Sequence, residues 1–157
     1  MDTVSDIAVG KRHWAFGPLD LGALEKMRSK HHGGCLACNN PMFRLEFDCD
    51  RDEGLVARFL PQEEFCSYRG VIHGGVVALL LDEAMTCCLM AHGAVAVTGD
   101  LKLRSAAPVM AGELVEIHSR VARALTPLYH VESRMFQAGA TKATATGRFL
   151  QQEEGEQ

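Results

Sequence analysis

The stretch from Gly70 to Ala91, GVIHGGVVALLLDEAMTCCLMA, constrains the chain more than any other. After Gly74 and Gly75 only Asp82, Glu83 and Thr86 interrupt an apolar run that is too long for an ordinary strand and too rich in Ala, Leu and Met to favour one. Its apolar residues fall on nearly every face, so the expectation is a buried central helix rather than an amphipathic surface one. The run is too short and too acidic to be read as a bilayer span, which needs roughly 20 largely uncharged residues. Asp82, set among Leu79, Leu80, Leu81 and Met85, then becomes the residue to explain, because a buried carboxylate needs a partner or a function.

The flanking sequence changes period. Leu21, Leu24 and Met27 fall at helical spacing, with Asp20 placed to cap a short helix over residues 19–28. Residues 29–41, rich in Gly, Asn and Pro, read as loop. From Phe43 to Cys49 apolar and polar residues alternate as in a strand with one buried face, and a second strand is expected over 55–60. A polar loop over 61–69 leads into the helix, and four further strands follow over 94–104, 114–125, 128–137 and 141–150. Short turns between them favour an antiparallel sheet. The chain is expected to form one domain over 1–157, with a frayed lead-in over 1–17 and a polar tail over 151–157.

A sheet of this size must wrap the helix yet cannot enclose one that is apolar all round. The leftover surface predicts at least a dimer. A formal charge of -4 and no basic run exclude a nucleic-acid footprint and an anionic membrane as partners. No apolar run near the N-terminus is long enough for a signal peptide, so the expected compartment is the cytoplasm.

His73, Gly74 and Gly75 stand where the helix begins. First-turn amides lack intrahelical partners, and glycine lets a carbonyl approach them closely, so this end can hold a developing oxyanion. The bland alternative is a tight turn into the sheet. Asp82 lies nine residues after His73, about 13 Å along a helix axis, so one carbonyl cannot reach both in one chain. Two antiparallel copies of the helix would bring the start of one against the middle of the other, making two composite sites. Glu83, about 100° away on the wheel, is expected at the surface or in a salt bridge.

Taken together, GVIHGGVVALLLDEAM, the strand AVTGDLKLR, and Pro108 with Gly112 resemble the hotdog-fold acyl-CoA thioesterases, of the phenylacetate-pathway and 4-hydroxybenzoyl-CoA type, over most of residues 35–150. That resemblance implies an α+β hotdog fold, a curved antiparallel sheet of five to six strands around one long central helix. It implies a homodimer or dimer of dimers, acyl-CoA as substrate and thioester hydrolysis as reaction. By the resemblance, Gly74 donates its N–H to the thioester oxygen, and Asp82 is the nucleophile or the base that activates water. Thr98 helps to position that water, and His73 holds its loop. Gly75, Ser67, Arg69 and Arg104 are the expected substrate contacts, the two arginines facing the phosphates of coenzyme A. Relatives often carry Asn or Gln six residues before the His, where this chain has Ser67, and that departure keeps a second reading open: a non-catalytic acyl-CoA-binding module. A hydratase on the same fold is a third reading, and it wants a different arrangement of His and acid.

No cofactor and no metal are expected. Cys35 and Cys38 form a CxxC beside His31 and His32, but a structural zinc site needs further ligands, and Cys49 and Cys66 are merely scattered. The six cysteines are read as reduced thiols, with Cys87 and Cys88 in the core.

Overall fold

The computed structural model describes residues 17–50 and 54–153. Expectations for the lead-in before Gly17, the turn at 51–53 and the tail beyond Glu153 lie outside the described residues. Asp20 caps the first helix, α1 (Leu21–His31), by accepting from Gly22 N–H at 2.9 Å. The helix runs three residues further than the apolar spacing predicts, because Arg28, Lys30 and His31 in its last turn complement the negative end of the helix dipole. Leu24 is its buried anchor, and Leu21 and Met27 pack beside it.

Strands β1 (Glu46–Cys49) and β2 (Leu55–Phe59) follow. The loop expected over 61–69 is more ordered than its polarity suggests. It holds a 3-10 turn at Glu63–Phe65 and the strand β3 (Cys66–Tyr68), which pairs with β4 (Val71–Ile72). Strands of two and three residues are too short to show a period. Phe65 anchors the segment by stacking on Phe43 with ring centroids 4.8 Å apart, and Phe59 lies against both.

The central helix α2 spans Gly74–Ala91. Length and apolarity alone would let it cross a bilayer, but 67% of it is buried inside this fold. It ends at Gly93, whose φ of 85° is open to glycine at little cost, and Gly93 and Ala94 N–H close on Met90 and Leu89 carbonyls. The chain reverses there into β5 (Ala96–Ser105), followed by β6 (Val115–Leu125), β7 (Leu128–Gln137) and β8 (Ala140–Gln151).

The six long strands form one antiparallel sheet in the order β1-β2-β6-β7-β8-β5, with α2 packed against β2, β5, β6, β7 and β8. This is the expected hotdog architecture. Val115, Ile117, Ser119 and Val121 of β6 face the helix, as do Tyr129, Val131, Ser133 and Met135 of β7, so the alternation read from the sequence sorts the two faces correctly. Ser119 and Ser133, the serines on that face, bond each other at 2.8 Å. Gly147 of β8 leaves room for the Phe149 ring and the central helix. A β-carbon there would meet the Phe149 ring at 2.5 Å and Met85 Cε at 3.5 Å. On the other face, an open groove of about 1100 Å³ runs over the ladder of Glu116, His118, Arg120, Glu132 and Arg134.

Candidate active site

The start of α2 is held by backbone bonds from three directions. His73 N–H donates to Phe65 C=O at 2.8 Å, Ile72 N–H to Val109 C=O at 2.8 Å, and Ala111 N–H to Gly70 C=O at 3.0 Å. Gln137, fully buried, fixes the Val109 loop by accepting from Met110 N–H and donating to the carbonyls of Met110 and Glu113. A polar side chain spent wholly on the backbone makes this corner rigid.

Within it, His73 is the N-cap. Its Nδ1 accepts from Gly75 N–H at 2.8 Å, so its proton sits on Nε2. Gly75 permits this, since a β-carbon there would stand 3.1 Å from that nitrogen. Val76 and Val77 N–H close on His73 C=O. The Gly74 N–H has no acceptor among the described residues, Gly74 is exposed, and nothing lies within 4 Å of the position of a β-carbon on it. An unpaired amide at the positive end of an 18-residue helix, open to approach, is a ready anion acceptor.

Asp82 sits two turns further on, on the strip of α2 that the sheet leaves half-exposed together with Val76, Ala78 and Leu79. It is less buried than its apolar neighbours in sequence suggest, because Leu80, Leu81 and Met85 point elsewhere around the helix, into the core. Thr98 Oγ1 of β5 donates to Asp82 Oδ1 at 2.7 Å. A register shift between Thr98 and Asp100 accompanies that contact, a bulge of the kind that re-aims a side chain. Gly74 and Asp82 of one chain are about 12 Å apart along the axis, eight residues at 1.5 Å each.

The remaining candidates are dispersed. Ser67 and Arg69 are exposed on β3 and the turn after it, and Arg104 is exposed six residues beyond Thr98 along β5. Neither arginine has an ion-pair partner among the described residues. The groove on the far face of the sheet includes neither Gly74 nor Asp82.

Glu83 corrects the sequence reading. It is buried at 6% exposure, not on the surface, because the loop after α1 folds over that side of α2. Cys38 Sγ lies 2.8 Å from Glu83 Oε1, Cys35 Sγ 3.8 Å from Oε2, Cys87 Sγ 3.5 Å from Oε1 and His32 Nδ1 4.0 Å from Oε1. Burial, reinforced by Cys38, pushes the Glu83 carboxyl up to about 8. The Cys38 thiol moves the other way, to about 3, held there by hydrogen bonds from Cys87, Glu83, Arg28 and His32 against the cost of burial. Glu83 and Cys38 thus shift in opposite directions within one buried cluster that includes Cys87. Sequence reasoning missed this group, although Glu83 and Cys87 at i and i+4 share a helix face and were a signal for it.

Residues 69–144 match the model of the thioesterase superfamily. No curated protein matches the chain at a significant level. Among solved structures, the chain superposes on PaaI of the Escherichia coli phenylacetic acid degradation operon with a TM-score of 0.73, at 16% identity, covering 86% of this chain and 96% of that one. A Streptococcus mutans UA159 protein solved bound to acetyl CoA gives 0.65 at 16% identity, covering 69% and 89%. A hypothetical thioesterase of Streptococcus pneumoniae TIGR4, solved with an Asp changed to Ala and separately with a Thr sixteen residues further on changed to Ala, gives 0.66 at 15% identity. The Asp variant is covered over 71% of this chain and 93% of that one, and the Thr variant over 71% and 92%. The fold is thus that of the hotdog proteins, and the stretch from Arg69 to Thr144 is the part of it that matches the thioesterase superfamily.

Proposed function

We propose that this protein hydrolyses an acyl-CoA thioester at two composite sites in a homodimer. The observation that carries the reading is the Asp82 carboxylate held by Thr98 on the half-exposed strip of α2, sixteen residues before it. The same spacing separates the Asp and Thr altered in the pneumococcal protein. The superfamily match and the acetyl CoA and coenzyme A complexes of related folds support the substrate class.

In this reading the thioester oxygen takes the Gly74 N–H, and the positive end of α2 stabilises the charge that grows there. Asp82 from the partner subunit attacks the carbonyl carbon or removes a proton from the water that does. The C–S bond then breaks and coenzyme A leaves as the thiol with a proton from water; where Asp82 is the nucleophile, that water hydrolyses the acyl–Asp82 anhydride, and by either route the carboxylic acid is the second product. Two copies are needed because about 12 Å separates Gly74 from Asp82 within one chain. The ten-residue strand β5 is an edge of the sheet, paired on one side only, and Val97 on it is half-exposed. Such an edge, next to the apolar strip of Val76 and Leu79, suits pairing with a second copy across a two-fold axis. Arg69 and Arg104, without an ion-pair partner among the described residues, are assigned to the phosphates of coenzyme A, and Ser67 to the substrate beside the helix start.

The test is free-thiol release from a panel of aryl, short-chain and long-chain acyl-CoAs, comparing the parent with Asp82→Asn. Turnover on one acyl class that falls about a hundredfold or more in the variant, with the dimer intact, supports the assignment. Activity that survives the substitution, or no turnover on any member, sinks it.

A further inference from the structure

We propose that His32, Cys35, Cys38 and Glu83 form a tetrahedral zinc site that fastens the loop after α1 onto the central helix. It stands on a different side of α2 from Asp82 and does not depend on the thioesterase reading.

Four potential donor atoms, His32 Nδ1, both cysteine sulfurs and one Glu83 oxygen, lie within 4.8 Å of one another. Zinc bound at about 2.3 Å to sulfur and about 2.0 Å to nitrogen or oxygen spans a tetrahedron whose edges come to about 3.3–3.8 Å. With Glu83 Oε1 as the carboxylate ligand, His32 Nδ1 is 3.4 Å from Cys38 Sγ and 4.0 Å from Oε1, and Cys35 Sγ is 4.0 Å from Oε1. The Cys38–Glu83 edge, at 2.8 Å, is shorter than such a figure asks, and side-chain rotation of about 0.7 Å opens it. The donor set of two thiolates, an imidazole and a carboxylate suits zinc, and with four protein ligands it is closed, as structural sites are.

The surroundings are arranged for anionic sulfur. The Cys38 amide points at Cys35 Sγ at 3.5 Å, and the Ala37 amide points at the same atom. Arg28 directs Nε to Cys38 Sγ at 3.4 Å while its Nη2 holds the Cys38 carbonyl. Cys87 stands behind Glu83, 3.5 Å from Oε1. Asn39 braces His32 by donating to its carbonyl at 2.8 Å. Such outer contacts orient ligands and tune a metal. Charge also closes. Two thiolates and a carboxylate against a dication leave one negative charge, and Arg28 supplies one positive. The ligands come from the end of α1, the loop and the middle of α2, so a single ion would join three segments.

The experiment is metal analysis of the full chain, purified under reductant with zinc in the medium and dialysed, alongside cobalt titration of EDTA-stripped protein. About one zinc per chain, thiolate-to-cobalt charge-transfer bands with tetrahedral d–d intensity, and zinc affinity at least about tenfold weaker in Cys38→Ser and Glu83→Gln support the site. His32→Ala, at a helix end with a side chain 23% exposed, carries the comparison should a core substitution fail to fold. Folded protein by circular dichroism that takes up no stoichiometric zinc overturns the proposal. So does zinc held as tightly in His32→Ala and Cys38→Ser as in the parent, or a Cys35–Cys38 disulfide recovered in place of metal.

Discussion

Thr98 Oγ1 donates a 2.7 Å hydrogen bond to Asp82 Oδ1, joining the edge strand β5 to the middle of the central helix. One carboxylate oxygen is thereby fixed, and the other is left to face whatever covers this side of the helix. A hydroxyl in that position aims the carboxylate without neutralising it. Thr98→Ala is expected to lower kcat about tenfold with little change in KM, and Thr98→Ser to restore most of it, since serine keeps the donor. Steady-state thiol release on the best acyl-CoA decides, and equal loss in both variants would remove the hydroxyl from the mechanism.

Gly74 is the first residue of α2, where proline is tolerated because the amide has no helical partner. His73 before it is already extended at φ -55° and ψ 133°, as a residue preceding proline must be, and nothing lies within 4 Å of where a β-carbon on Gly74 would stand. Gly74→Pro should therefore fold while deleting one N–H. Its kcat should fall about 10²–10³-fold, with a melting temperature within a few degrees of the parent. Retained activity in the folded variant would exclude this amide as the oxyanion donor.

Composite sites make a prediction that single variants cannot. Asp82→Asn and Gly74→Pro are each expected to be inactive alone. In a mixed dimer, however, the intact Gly74 of one chain meets the intact Asp82 of the other. Refolding the two variants together at equal amounts should restore about a quarter of parent activity, since half of the dimers are mixed and each has one good site. No recovery, with mixed dimers present by mass spectrometry, would place the two groups in separate sites or in one chain.

The pair Glu83 and Cys38 sets how stability of the metal-free protein depends on pH. Glu83 is raised to about 8, so it holds a proton in the folded state that it loses on unfolding above its ordinary range. Alone, that makes stability fall as pH rises toward 8. Cys38 is lowered to about 3 and contributes with the opposite sign over the same window, having lost a proton that the unfolded thiol keeps. The pair carries one proton in both states, so the two slopes cancel. In Cys38→Ser, burial still raises Glu83 among Arg28, His32, Cys35 and Cys87, and only the falling slope remains. Urea midpoints in EDTA and reductant between about pH 5 and about pH 8 should be nearly flat for the parent and decline for the variant, by up to about 1.4 kcal/mol per pH unit.

The sequence made the central helix legible by its length and apolar composition, and the last three strands legible because each sustains its alternation over ten residues or more. Resemblance singled out Thr98 and Asp82 separately, one to position a water and one as nucleophile or base, and the fold brings them into contact. The hairpin of β3 and β4 was hidden, since its strands are too short to display alternation. Glu83 was hidden for a different reason. Its neighbours Cys35 and Cys38 lie more than forty residues earlier, and a helical wheel shows which way a residue points but not what another segment lays over it.

Gly93 ends the helix in one step and leaves only Ala94 and Val95 before β5 begins. Because consecutive strand residues alternate sides, that short reversal acts as a parity counter. One residue added there would carry the Thr98 hydroxyl to the opposite side of the strand. Two would return it to the same side but slide it about 6.6 Å along the helix, past the carboxylate it now holds. The connection can therefore change in composition far more freely than in length.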